Sequence, residues 1–154
     1  MSDPIPSLAA KRIVLDSGPL GRLTNPNTRT PVNAEINRWL WTLLAAGAAV
    51  FVPEVVDYEV RRELLRLDRK RSVARLDALH VQLFYLPLNT ATLRRAAEMW
   101  AEARKRGQPT ADPKELDVDV ILAAQAEEAE GLVATENVGH LSRFVLARHW
   151  RDIG

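Results

Sequence analysis

Three short apolar runs constrain this chain most: Ile13, Val14 and Leu15; Val50, Phe51 and Val52; and Leu132, Val133 and Ala134. None alternates with polar residues as a strand wetted on one face would. Such strands must be covered on both faces, which favours a parallel sheet between layers of helices. Strands are expected at residues 12–15, 48–53 ("AAVFVP"), 83–86 and 132–135 ("LVAT"). Between them, apolar residues recur at helical spacing. Ile36, Leu40, Leu43 and Leu44 predict a helix over 33–46 that Gly47 should end. Val56, Val60, Leu64 and Leu67 predict another, with a wet, basic back, continuing helical through 72–79. Thr90 reads as the cap of a helix to about Arg106, followed by a turn-rich loop, "RGQPTADP". A helix over 117–130 should turn Val120, Ile121, Ala123 and Ala124 inward and end at Gly131. The tail, "LSRFVLARHW", reads either as a short helix plus an edge strand or as one helix. The alternation predicts a three-layer α/β/α fold with a central, mostly parallel sheet of four to five strands.

At 154 residues the chain suits one domain, 1–154. With 47% hydrophobic and 27% charged residues, neither disorder nor a membrane span is indicated. The longest apolar stretch, 43–53, contains Gly47 and is too short to cross a bilayer. The start, "MSDPIPSLAAK", has no charged segment leading into an apolar run, so a cytoplasmic location without a signal peptide is expected. The absence of cysteine excludes disulfides, thiolate zinc sites and cysteine nucleophiles. With three scattered histidines, any metal must be held mainly by oxygen.

Acidic and amide side chains fall where the expected strands end. Asp16 follows the first strand; Glu54, Asp57 and Glu59 follow the second; Thr135, Glu136 and Asn137 close the fourth. Ligands of open parallel sheets sit beyond the carboxyl ends of the strands. Asp117 and Asp119 open the helix before the fourth strand and reach the same crevice only if the preceding connection returns there. Each has an ordinary structural reading too: Asp16 with Ser17 as an Asx turn and helix cap, Asp117 as an N-cap, Glu59 with Glu63 as a solvated pair. Together they come from four separate segments, and gathered carboxylates repel. Two charges about 4 Å apart at an effective dielectric near 20 cost roughly 4 kcal/mol. A hard divalent cation, Mg²⁺ or Mn²⁺, would offset that, and beside a basic surface it suits phosphodiester chemistry.

Four stretches, "IVLDSGPLGRL", "VPEVVDYEVRREL", "LDVDVILAAQA" and "LVATENVGHL", resemble in order and spacing the motifs of PIN-domain nucleases, particularly the short VapC-like toxin ribonucleases. The resemblance covers nearly the whole chain. It implies that Asp16, Glu59, Asp119 and Asn137 are the catalytic positions, with Ser17 and Thr135 in support. Asp16 and Asp119 would hold the metal, with Asp117 as a further ligand, direct or through a metal-bound water. Asn137 stands where many members carry aspartate, which removes one negative charge and puts a second metal in question. The family also implies Mg²⁺- or Mn²⁺-dependent RNA cleavage, a homodimer and a cognate antitoxin partner.

The block from Arg61 to Arg75 carries seven cations against Glu63 and Asp68. It is either a solvated helix face or an RNA-tracking surface, for which Arg61, Arg62, Arg66 and Arg69 are the candidates. Trp39, Trp41, Trp100 and Trp150 read as core or dimer-contact residues rather than base-stacking platforms. A phospho-acceptor aspartate would want a further acid close behind Asp16 or a lysine at a late strand end, and neither is present. Ser17 lacks the G-x-S-x-G elbow of a hydrolase nucleophile, and His140, its one candidate base, is a lone histidine after a strand, more often a surface or capping group. The remaining rival is a catalytically weak module of the same fold that binds RNA or a protein partner. Without metal, charge repulsion predicts that Asp16→Asn is at least as stable as the parent.

Overall fold

The computed structural model describes residues 11–107 and 113–154, the side chains of 113–115 excepted. Most of the expected loop at 106–113, and the chain before residue 11, lie outside them. Five strands, β1 (Arg12–Leu15), β2 (Ala49–Pro53), β3 (Phe84–Leu86), β4 (Leu132–Thr135) and β5 (Ala147–His149), form one sheet in the order β3-β2-β1-β4-β5. All four pairings are parallel. Helices α1 (Ser17–Thr24), α2 (Pro31–Ala45), α3 (Glu54–Arg66), α4 (Lys70–Gln82), α5 (Thr90–Lys105), α6 (Pro113–Ala129) and α7 (Val138–Leu141) connect and flank them. This is the three-layer α/β/α arrangement. Ile13, Val14, Leu15, Val52, Val133 and Ala134 are all inaccessible to solvent, as uniformly apolar strands require. The tail takes the form of a short helix plus an edge strand.

Several boundaries move for identifiable reasons. The basic segment is two helices, not one: Asp68 adopts φ 54, and the Arg69 N–H reaches back to Leu64 O (2.9 Å). A short polar residue tolerates that left-handed geometry and so ends α3. Asn89, not Thr90, caps α5, its side chain accepting from the Thr92 N–H (2.8 Å). Helix α6 starts at Pro113, a residue favoured in a first turn. Gly47, with φ 87, closes α2 as its position suggests. Gly131 meets a different demand, since a Cβ there would lie 2.6 Å from Val14 Cγ2 and 3.3 Å from Arg12 O. Only a bare backbone lets the α6–β4 turn pass so close to β1.

Helix α6 is buried on two faces. Leu122, Ala126 and Ala129 join the main core under the sheet, whereas Val120, Ala123 and Ala124 pack in a second cluster with Ala96, Met99 and Ala103 of α5. The inward residues expected on α6 thus include three that face a helix, not the sheet. The run of alanines permits close approach on both sides. Gln125, 1% exposed, lies within this apolar helix. Its Oε1 accepts from the Val55 N–H at the start of α3 (3.2 Å) and its Nε2 donates to Leu86 O at the end of β3 (2.7 Å). It satisfies backbone groups that would otherwise be stranded in the core.

Candidate active site

The chain leaves β1 toward β2 and β3 on one side and later returns to place β4 and β5 on the other. The gap beyond β1 and β4 is therefore left open, as at the switch points of other parallel sheets. The register sets Leu15 opposite Ala134, and the Asp16 N–H donates to Ala134 O (3.0 Å). Asp16 thus emerges beside Thr135. A cleft of about 300 Å³ opens there, lined by Asp16, Ser17, Gly18, Glu59, Val118, Asp119, Glu136, Asn137 and His140. All four expected catalytic positions, and the supporting Ser17, line this one cleft; Thr135 stands behind it, hydrogen-bonded to Asp16.

Asp16 is both a helix cap and a cleft residue. One carboxylate oxygen accepts from the Ser17 N–H at the start of α1 (2.7 Å), the other from the Thr135 hydroxyl (2.7 Å). Burial pushes the carboxyl above its ordinary range; the hydrogen bonds from Thr135 and Ser17 pull it back, and the charge of Glu136 pushes it up. Thr135, fully buried, also accepts from the Asn137 N–H (2.8 Å). One hydroxyl thus fixes Asp16 and Asn137, the second residue past β4, together.

Asp119 lies on α6 next to Val118, which packs against the main core and lines the cleft with it. Its pKa rises from 3.8 to about 6, through burial first, then the charge of Asp16 and, less, that of Glu59, with His140 and Arg143 opposing. The expected repulsion is present: Asp16 and Glu59 both push Asp119 upward, and Glu136 does the same to Asp16. Glu59 flanks the buried face of α3 formed by Val55, Val56 and Val60.

The other acids are placed elsewhere. Asp117 is exposed and borders a groove with Leu93, Trp100 and Val120. Two residues before Asp119 on a helix means about 200° of rotation, which takes it out of the cleft. Glu54 accepts from the Tyr85 hydroxyl (3.1 Å) and the Leu88 N–H (2.9 Å). Asp57 binds Arg61 through two hydrogen bonds (3.0 and 3.1 Å), and Arg61 also reaches Asp77 (2.8 Å). Arg66 pairs with Glu63, and Arg62 lies over the Tyr58 ring. Of the arginines expected to track RNA, Arg61 and Arg66 are therefore engaged internally, whereas Arg69 makes no ion pair with a described residue. Trp150 is buried, edge-on to Trp39; Trp41 and Trp100 are exposed, and none of the four lines the cleft.

Two further residues line the cleft: Glu136, which the sequence placed at the end of the fourth strand without a role, and His140. Glu136 is held by Arg22 of α1 and by the Trp150 indole N–H (3.1 Å), which pull its pKa down despite burial. His140, read from the sequence as a surface or capping group, is the one imidazole on the cleft lining. Its place three residues beyond Asn137 in "TENVGHL" was the available signal; the partners of Glu136 lie too far away in sequence to be seen.

Among the described residues no three acidic or histidine side chains form a closed metal cage. The donor set still suits a hard cation: carboxylates share one open space, and Asp16 and Glu59 each make Asp119 harder to ionise. Mg²⁺ keeps several waters and needs only one or two protein carboxylates.

A PIN-domain family model matches residues 13–143, spanning all four cleft-forming segments. The chain belongs to the PIN-domain family. Comparison with curated proteins gives no match. Among solved structures, this PIN domain is similar to a chain of VapBC2 from Rickettsia felis bound to a promoter DNA fragment, with TM-score 0.70 and 14% identity over 90% of this chain and 98% of that one. It is similar to FitAcB from Neisseria gonorrhoeae, with TM-score 0.68 and 21% identity over 92% and 99%. A chain of DNA-bound VapBC from Salmonella typhimurium gives TM-score 0.68 and 17% identity over 91% and 98%. At these identities the likeness is one of fold. No helix among the described residues is long and apolar enough to cross a membrane.

Proposed function

We propose that this PIN domain is a Mg²⁺- or Mn²⁺-dependent endoribonuclease, a phosphodiester hydrolase that serves as the toxin of a toxin–antitoxin pair. The observation that carries the reading is the cleft that brings Asp16, Glu59, Asp119 and Asn137 together, with the Asp119 pKa raised to about 6 by burial and by the charges of Asp16 and Glu59. Asp16 and Asp119 would hold the cation, with Glu59 adding negative charge. When bound, it would supply the Lewis acidity that makes water a nucleophile at neutral pH and draws charge from a phosphoryl oxygen. The protein contributes orientation: Thr135 and Ser17 hold the Asp16 carboxylate, and α6 holds Asp119. Asn137 can donate or accept a hydrogen bond at the substrate without adding charge. His140 brings an imidazole able to donate to a phosphate oxygen or to the oxygen released from phosphorus.

The toxin reading, with its antitoxin and homodimer, is supported by the fold shared with VapBC and FitAB chains. Incubating the purified protein with single-stranded and structured RNAs in Mg²⁺, Mn²⁺ or EDTA tests the chemistry. Cleavage should require metal and be lost in Asp119→Asn; cleavage that persists in EDTA or in that variant overturns the mechanism. Light scattering alone and with the product of a neighbouring small reading frame tests the assembly.

A further inference from the structure

A second concavity, of about 640 Å³, begins one turn along α1 from the cleft. Gly18 lines the cleft and Gly21, one turn on, lines this groove. Its floor is aliphatic, from Leu64 and Leu67. Its rim is cationic: Arg69, Lys70 and Arg71 are consecutive, exposed and without an ion pair to any described residue. They contrast with Arg61 and Arg66 just before them, whose charges are balanced by Asp57, Asp77 and Glu63.

The opposite wall is pre-shaped. The Asn27 N–H donates to Asn25 Oδ1 (2.9 Å) and the Arg29 N–H to Asn27 Oδ1 (3.1 Å). Both asparagines spend their oxygen on the loop itself, which leaves their amide N–H groups to donate outward. Arg75 ties α4 to the end of α1 through Leu23 O (3.1 Å) and so fixes the groove's width. Gly21 is the independent sign that this space is kept open. It is helical, and a Cβ there would meet nothing within 4 Å. Neither packing nor backbone geometry calls for glycine, which is less stable than alanine inside a helix.

A groove rimmed by cations and amide donors, with Asp68 its one acid and an aliphatic floor, complements a chain of phosphates and carbonyl-bearing bases. Resting on the ribonuclease reading above, we propose that this groove seats the nucleotides of a single-stranded RNA adjacent to the bond cleaved between Asp16 and Asp119. Arg69, Lys70 and Arg71 take the phosphates, and Asn25 and Asn27 donate to the bases. The strand passes over Gly21 on its way from one site to the other.

The test uses the full chain in EDTA and a fluorescein-labelled 12-nucleotide RNA, single-stranded and as a duplex, read by anisotropy across a salt series. In Arg69→Gln/Lys70→Gln/Arg71→Gln, single-strand affinity should fall at least ten-fold. The slope of log affinity against log salt should shrink by about 2, as three lost contacts at roughly 0.7 each imply. Gly21→Gln should cost at least five-fold with an unchanged or higher melting temperature. Cleavage of a trinucleotide in Mg²⁺, which occupies only the cleft, should stay within two-fold of the parent in the triple variant. Unchanged single-strand affinity, or an equal loss for the duplex, overturns the inference and leaves the groove to another partner. If Asp119→Asn is inactive while the triple variant binds like the parent, the groove inference alone falls. If Asp119→Asn still cleaves, the mechanism falls and the groove stands or falls on its own binding data.

Discussion

Asp119→Asn should stabilise the metal-free protein, and the gain should follow pH. The folded carboxyl ionises near pH 6 rather than at 3.8. Between those values the native state keeps a proton that the unfolded chain gives up, so stability falls as pH rises through this window. Above about pH 6 the cost is fully present; below 3.8 both states are neutral and it vanishes. At full weight the displacement of 2.2 (6 less 3.8) amounts to about 3 kcal/mol. Solvent screening of this partly accessible carboxylate lowers that to about 1–2 kcal/mol. For a chain of this length that raises the melting temperature by roughly 2–8 °C. Asparagine cannot ionise and so avoids the cost. Thermal denaturation in EDTA from pH 3.5 to 8 should show parent and variant converging at the acid end and diverging to a plateau above pH 6. Saturating Mg²⁺ should reverse the order, because only the parent gains binding energy, about 2.7 kcal/mol at a hundred times the dissociation constant. A variant no more stable than the parent at pH 8 in EDTA, or a gain equal at pH 4 and pH 8, refutes the argument. Asp16→Asn is a less direct test than charge repulsion alone suggests, because Asp16 also caps α1; Asp119 sits within α6 and caps nothing.

Thr135→Val removes the hydroxyl that donates to Asp16 and accepts from the Asn137 N–H. A loss of about 1–3 kcal/mol is expected in urea denaturation, with cleavage reduced more than folding explains. Gln125→Leu keeps the volume but strands the Val55 N–H and Leu86 C=O; about 2–4 kcal/mol should be lost by the same measurement, and a neutral result would mean that water replaces the amide. Gly131→Ala drives a methyl into Val14 and should cost about 1–3 kcal/mol, read as a lower melting temperature without any change in metal dependence.

The strands were legible because β1, β2 and β4 bury both faces, which leaves an uninterrupted apolar signature in sequence. The cleft was legible for a related reason: a parallel sheet fixes where its strand ends point, so Asp16 and Asn137 could be placed without knowing the helices. What escaped depends on contacts between distant segments. That Asp117 turns away while Asp119 turns in follows from α6 being packed on two faces, and α5 supplies the second. Which arginines are free depends on Asp57 and Asp77, one on α3 and the other on α4. The break at Asp68 required a left-handed residue that composition does not announce. Gln125 looked like one polar residue in an apolar helix, and its two backbone partners lie 70 and 39 positions away.

The central place of β1 bears on when, during synthesis, the cleft can form. Its β2 neighbour follows within 40 residues, so one half of the sheet can assemble early in synthesis. The other half awaits β4, and with it Thr135, Asn137 and the wall opposite Asp16. Until β4 is made, Asp16 lacks the hydroxyl that orients it, and Asp119 has no closed cleft to enter. On the ribonuclease reading proposed above, a nascent chain without β4 should be inactive. Ribosome-arrested chains that end before Thr135 should accordingly show no cleavage in Mg²⁺, in contrast to the released protein.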